Sequence, residues 1–227
     1  MNGSDGMCIL KSKNLAYEIA DILSGKIIRM EYKPGDRIIE SKIARELNVS
    51  QSSVREALRM LEQGGLVEFN QRRGANVTEL SINNITILYD LLVEMYVILI
   101  RKAMEKKNDF NKQEVMEVFA KIQDSAEKND ADHYYKNIFE LARVALEVTK
   151  SSLLTKVITD LWPNKRRIEY LTLTSRKNEL EKNLEYFKLL VKYLLESDVE
   201  RMVDTIREYT RSEKTAAIQI LKNNNLI

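Results

Sequence analysis

Residues 37–77 constrain the fold of this chain more than any other stretch. A short helical pattern, Glu40 to Leu47, meets a second one across a tight polar break at Asn48-Val49-Ser50. Two hydrophobic, strand-like runs follow, Leu66-Val67-Glu68-Phe69 and Ala75-Asn76-Val77, split by a basic turn from Asn70 to Gly74. The layout predicts a helix-turn-helix with a hairpin wing.

The second helix carries the strongest local signal. Ser50 suits an N-cap, because its hydroxyl accepts from a free backbone N–H at the helix start. Val54, Ala57, Leu58 and Leu61 recur at spacings of three and four and form one apolar stripe. Ser52, Arg55 and Arg59 fall on the other face. Small polar groups at the N-terminus, with arginines one and two turns on, suit a helix that enters a major groove end first. Its unpaired N–H groups and dipole also favour a phosphate there. Gly64-Gly65 is a helix stop, since glycine takes the left-handed conformation without a Cβ clash. With Arg72 and Arg73 at the hairpin tip, the order of parts points to duplex DNA.

Composition sets bounds around that stretch. The chain has 227 residues, enough for two domains, with 44% hydrophobic and 31% charged residues. Only 7 Gly and 2 Pro are present, so helix should dominate. The richest apolar run, Ile85 to Ile100, is broken by Asp90 and Glu94, so no membrane association is expected. A single cysteine, Cys8, forms no internal disulfide and fits a reducing cytoplasm. The net charge is +2, and residues 11–79 carry 12 Lys and Arg against 10 Asp and Glu. Affinity for DNA must therefore come from where the cations sit, and a homodimer that doubles the phosphate contacts would help.

Read in order, the chain begins with a helix at about residues 13–31, capped by Ser12 or Asn14, with Leu15, Ile19, Ile22, Leu23 and Ile27 on one face. Lys33-Pro34-Gly35-Asp36 is a turn, and Arg37-Ile38-Ile39 a short extended piece that can join the wing sheet. The winged domain is expected over residues 9–78, a short linker over 79–83, and an all-helical domain over 84–227. In the last of these, helices are predicted at about 84–107, 111–128, 131–149, 151–171, 177–196 and 198–222, a bundle of six or seven. Asp109, Asn129-Asp130, Ser151-Ser152 and Ser197-Asp198 are candidate caps or turns.

The run Pro34-Gly35, Ile38, Glu40, Ile43-Ala44, Val49-Ser50, Val54-Arg55-Glu56-Ala57-Leu58, Leu61, Gly65-Leu66-Val67, Gly74 and Val77 resembles the N-terminal domain of the GntR family of bacterial transcription regulators. That resemblance implies that Ser41, Ser50, Gln51, Ser52 and Arg55 face DNA, with Arg73 and Gly74 at the wing tip. Gln51 departs from the family, which commonly has arginine there. Glu56 is expected to orient a neighbouring arginine. The turn Glu196-Ser197-Asp198-Val199-Glu200 resembles that before the last helix of the FadR-like, or FCD, domain.

Many domains of that branch hold a divalent metal with one carboxylate and three histidines. Here the resemblance places Ile138, Ala142, Phe187 and Tyr209 at the four positions, and His133 is the chain's one histidine, so no metal and no other cofactor is expected. His133 reads as a surface residue. Phe187, Tyr209, Tyr89, Leu92, Tyr96 and Trp162 are candidates to line an apolar pocket in which Arg143 or Arg166 receives an acidic group. The effector would then be an organic acid or an acyl compound; a filled, ligand-free bundle is the alternative. An enzyme is disfavoured: one histidine and no glycine-rich phosphate loop leave little catalytic chemistry. A winged helix serving protein contacts alone is disfavoured by Arg55, Arg59, Arg72 and Arg73.

Overall fold

The computed structural model describes residues 5–70, 74–174 and 179–223. The chain divides between Leu80 and Ser81 into two compact units.

The N-terminal unit has helices α1 (Asp5–Ile28), α2 (Glu40–Glu46) and α3 (Gln51–Gln63) and strands β1 (Arg37–Ile38), β2 (Val67–Asn70) and β3 (Gly74–Val77). The helix α1 starts at Asp5, well before the caps expected at Ser12 or Asn14. It buries Ala16, Ile19, Ala20, Leu23 and Ile27, whereas Ile22 is exposed. The small Ala16 and Ala20 complete the buried stripe and let α3 approach, so Ile22 is not needed for the core.

Turn geometry then sets the path. Lys33-Pro34-Gly35-Asp36 closes with the Asp36 N–H donating to the Lys33 carbonyl at 3.0 Å. Gly35 has φ +79°, as the third residue of such a turn requires. Between α2 and α3 the chain turns on Asn48 at φ 53°. The Val49 N–H donates to the Ala44 carbonyl at 2.9 Å and the Asn48 N–H to Arg45 at 3.3 Å, the paired bonds of a Schellman closure. The same closure ends α3: Leu66 donates to Leu61 and Gly65 to Glu62, both at 3.0 Å. Gly65, at φ 69°, is the left-handed residue, while Gly64 stays at φ −81°.

The sheet runs β1-β3-β2, all antiparallel, with Val67 opposite Val77 and Ile38 opposite Ala75. Val54, Ala57, Leu58 and Leu61 of α3 pack with Ile19, Leu23, Ile27, Ile38, Ile43, Leu66, Val67 and Val77 in one core.

The second unit is helical: α4 (Ile82–Glu105), a 3-10 turn (Lys107–Asp109), α5 (Lys112–Glu127), α6 (Ala131–Thr149), α7 (Ser152–Thr174), α8 (Glu179–Glu196) and α9 (Val199–Asn223). The helix α4 begins inside the stretch expected to be linker, where the Ser81 hydroxyl accepts from the Asn84 N–H at 3.1 Å. Asn111, rather than Asp109, caps α5. Asp130, Ser151 and Asp198 accept the N–H groups of His133, Leu154 and Arg201 at the starts of α6, α7 and α9. Packing pairs α4 with α9, α5 with α6 and α8 with α9. By length and composition α4 is apolar enough to cross a membrane. Its Ile85, Leu88, Tyr89, Leu92, Tyr96 and Leu99 are buried inside the bundle, the use a core helix makes of such a sequence.

Two substitutions test this packing by chemical or thermal unfolding. Leu58→Ala, at a side chain with no exposure, is expected to lower stability by about 2–5 kcal/mol through the cavity it leaves. Gly65→Ala, at a positive φ, should cost about 1–2 kcal/mol without altering the core.

Candidate DNA-binding face and bundle cavity

The exposed side of α3 is built on its cap. The Ser53 N–H donates to the Ser50 hydroxyl at 3.1 Å, and that hydroxyl also lies 2.8 Å from the hydroxyls of Ser52 and Ser53. Ser50 is thus committed to shaping the helix start. Ser41, Gln51 and Ser52 are exposed.

Arg55 is held rather than loose. Its Nε lies 3.1 Å from both carboxylate oxygens of Glu40, and Nη2 lies 2.9 Å from Oε2. The Glu40 side chain is only 16% exposed and that of Arg55 66%, so a sunken carboxylate on α2 steers a guanidinium that stays open to solvent. The carboxylate that holds Arg55 is Glu40, brought beside it by the turn at Asn48.

Arg59 donates from Nη1 to Glu62 at 2.8 Å and stacks over the Phe69 ring, 4.1 Å from its centroid. It therefore ties α3 to β2. Gly74 is exposed at φ 76°, with open space where a Cβ would project, so its backbone conformation and not crowding calls for glycine. Arg72 and Arg73 lie outside the described residues.

In the helical unit a cavity of about 120 Å³ opens among α4, α5, α6, α7, α8 and α9. Ile138, Ala142, Phe187 and Tyr209, the four positions matched to metal ligands, all line it. Three hydrocarbon side chains and a phenol do not fit a divalent metal. Among the described residues no group of three or more His, Cys, Asp or Glu side chains converges as a metal site. His133 lies on the surface in the first turn of α6, its Nδ1 2.8 Å from Asp130.

The expected pocket residues separate into distinct settings. Tyr96, Phe187 and Tyr209 line the cavity. Tyr89 borders a different cleft with Asp90, Arg207, Arg211 and Lys214. Leu92 is fully buried in the core. Trp162 packs edge-on against Phe139, with centroids 5.0 Å apart. Arg143 is on the surface, bridging Glu140 and Glu147, and Arg166 is exposed with its guanidinium 4.6 Å from the Phe139 centroid.

Sequence reading missed Lys165, the one cation lining the cavity among the described residues. It is buried, forms an ion pair with Glu169 one turn on, and lies 5.0 Å from the Phe139 ring centroid. Burial pushes its ammonium down to about 7, with the nearby Glu213 opposing the shift and Arg166 adding to it. Arg167, Glu169 and Glu213 are buried too, and Asn183 donates to Glu213 at 3.0 Å. The one available signal was the i, i+4 spacing of Lys165 and Glu169, which a surface pair shares.

Residues 15–77 match the family described as bacterial regulatory proteins, gntR family, and residues 88–212 match the FCD domain. The chain is 24% identical to the HTH-type transcriptional regulator McbR of Escherichia coli (strain K12), over 84% of this chain and 87% of McbR. The solved structure of E. coli McbR superposes with a TM-score of 0.79 at 20% identity, over 90% of this chain and 97% of that one. The gluconate operon transcriptional repressor of Bacillus licheniformis is 24% identical over 90% of this chain and 83% of its own length. A shorter match, 29% identical, covers 38% of this chain and 39% of the uncharacterized HTH-type regulator YdhC of Bacillus subtilis (strain 168). The chain belongs to the GntR family of bacterial transcription regulators, its winged helix-turn-helix followed by an FCD domain.

Proposed function

We propose that the protein is a homodimeric repressor that binds a pseudo-palindromic operator, one α3 helix to each half-site, under the control of a small molecule held in the helical unit. The reading rests above all on Arg55, an exposed guanidinium aimed by Glu40 from the face of α3 opposite the core. Ser41, Gln51 and Ser52 flank it, and the wing, with Gly74 and the neighbouring Arg72 and Arg73, follows the adjacent groove. As a DNA-binding regulator it acts in the cytoplasm and is not an enzyme. Repression is favoured by its likeness to a repressor of a gluconate operon.

Dimerisation is supported by an apolar stripe on α4. Ile87, Leu91 and Ile98 are exposed and share one face of that helix, where a second subunit would cover them. The cavity in the helical unit favours an effector over a filled, ligand-free module. An effector changes operator affinity only by its differential affinity for two arrangements of the dimer.

Arg55→Ala should weaken operator binding roughly ten- to a hundredfold in a fluorescence-anisotropy titration. Unchanged affinity would remove Arg55 from the interface. Glu40→Ala should also weaken binding while leaving its salt dependence close to that of the parent, since Glu40 neutralises no phosphate. A shallower salt slope in that variant would make Glu40 something other than a positioning residue. Leu91→Glu should shift the protein to monomer in sedimentation velocity and lower operator affinity with it; a persistent dimer would place the subunit contact elsewhere.

A further inference from the structure

We propose that the bundle cavity takes an uncharged, largely hydrocarbon molecule of roughly eight to twelve non-hydrogen atoms that carries one hydrogen-bonding oxygen, and that it selects against organic anions of the same size. The inference rests on the effector role proposed above and supplies its chemical class.

Size comes first. A cavity of about 120 Å³, at about 10–15 Å³ of such volume per water-sized group, holds a chain of that length. The lining is almost wholly carbon, with Ile138, Ala142 and Phe187 where metal ligands would otherwise converge. Hydrocarbon is therefore the complementary filling.

Charge decides the head group. Among the described residues Lys165 is the one cation at the cavity; burial already weakens its charge, and Glu169 pairs with what remains while Glu213 acts on the same ammonium. An entering carboxylate would be another anion in a setting where those two are already buried. It would give up its hydration without gaining an unmatched positive charge. A neutral oxygen avoids that cost. It also meets a donor, because Lys165 lines the cavity. Lys165 Nζ keeps at least two N–H donors in either protonation state and can offer one without leaving Glu169.

The test uses the full-length protein without DNA. Trp162 is the chain's single tryptophan and packs against Phe139 of the cavity wall, so its fluorescence reports filling. Octan-1-ol and octanoate are titrated separately at pH 7.5. Saturable binding of octan-1-ol is expected, with octanoate at least tenfold weaker. Ala142→Phe and Ala145→Leu, which fill the cavity from α6, should each abolish octan-1-ol binding, with thermal melts confirming that the variants are folded. The proposal is overturned if octanoate binds as well as or better than octan-1-ol. It is overturned equally if octan-1-ol shows no saturation, or still binds to a folded, cavity-filled variant. A separate operator titration with and without octan-1-ol reads the effector role alone. Binding without any change in operator affinity would end that role and leave the ligand class standing.

Discussion

A helix of thirteen residues, α3, has to satisfy two solvents at once. One side carries Val54, Ala57, Leu58 and Leu61 into the buried core, and the other must keep Arg55 at the surface. The inward side fixes the rotation of the helix about its own axis. A slip of one residue would turn the stripe by about 100° and bury the guanidinium. Everything else in the N-terminal unit serves that orientation. The sheet closes the core from the side, the Schellman turn at Asn48 sets the approach of α2, and α2 delivers Glu40 to the arginine.

The helical unit is organised on a different balance. A lysine, an arginine and two glutamates lie buried among tyrosines and hydrocarbon, where unpaired charge is costly. Such groups add little net stability as pairs, yet losing one partner of a pair costs about 3–5 kcal/mol. They therefore favour one arrangement of α7 against α9 over alternatives that a purely oily core would tolerate. Pro163 sits just ahead of Lys165 and removes a hydrogen bond from the helix ladder, which marks that turn of α7 as a place where the backbone can adjust.

Much of this was legible in the sequence. The six bundle helices follow from long apolar periodicity, and the helix-turn-helix from its cap, stripe and glycines. The failures share a physical cause. Periodicity weighs large side chains, so Ile22 was assigned to the core while Ala16 and Ala20, which permit close helix packing, were passed over. It also reads every charge as solvent-facing, which hid Lys165 and Glu213. The pairing of Arg55 with Glu40 spans fifteen positions and exists only once the chain has folded. Five of the residues first grouped into one pocket share helices with its wall but project elsewhere, since neighbours on a helix diverge by about 100° per residue.

Left-handed residues close several of the helices, and most of those positions are not glycine. Met30, Asn48, Asn129, Lys150 and Ser197 all hold positive φ. Each carries a side chain through a conformation that penalises a Cβ, a strain the surrounding bonds overcome. Four of these sites lie away from both the Arg55 face and the cavity lining, so Met30, Asn129, Lys150 and Ser197 form a reserve for engineering. Hardier variants can be sought there by single exchanges to glycine, with recognition and ligand selection left as they are.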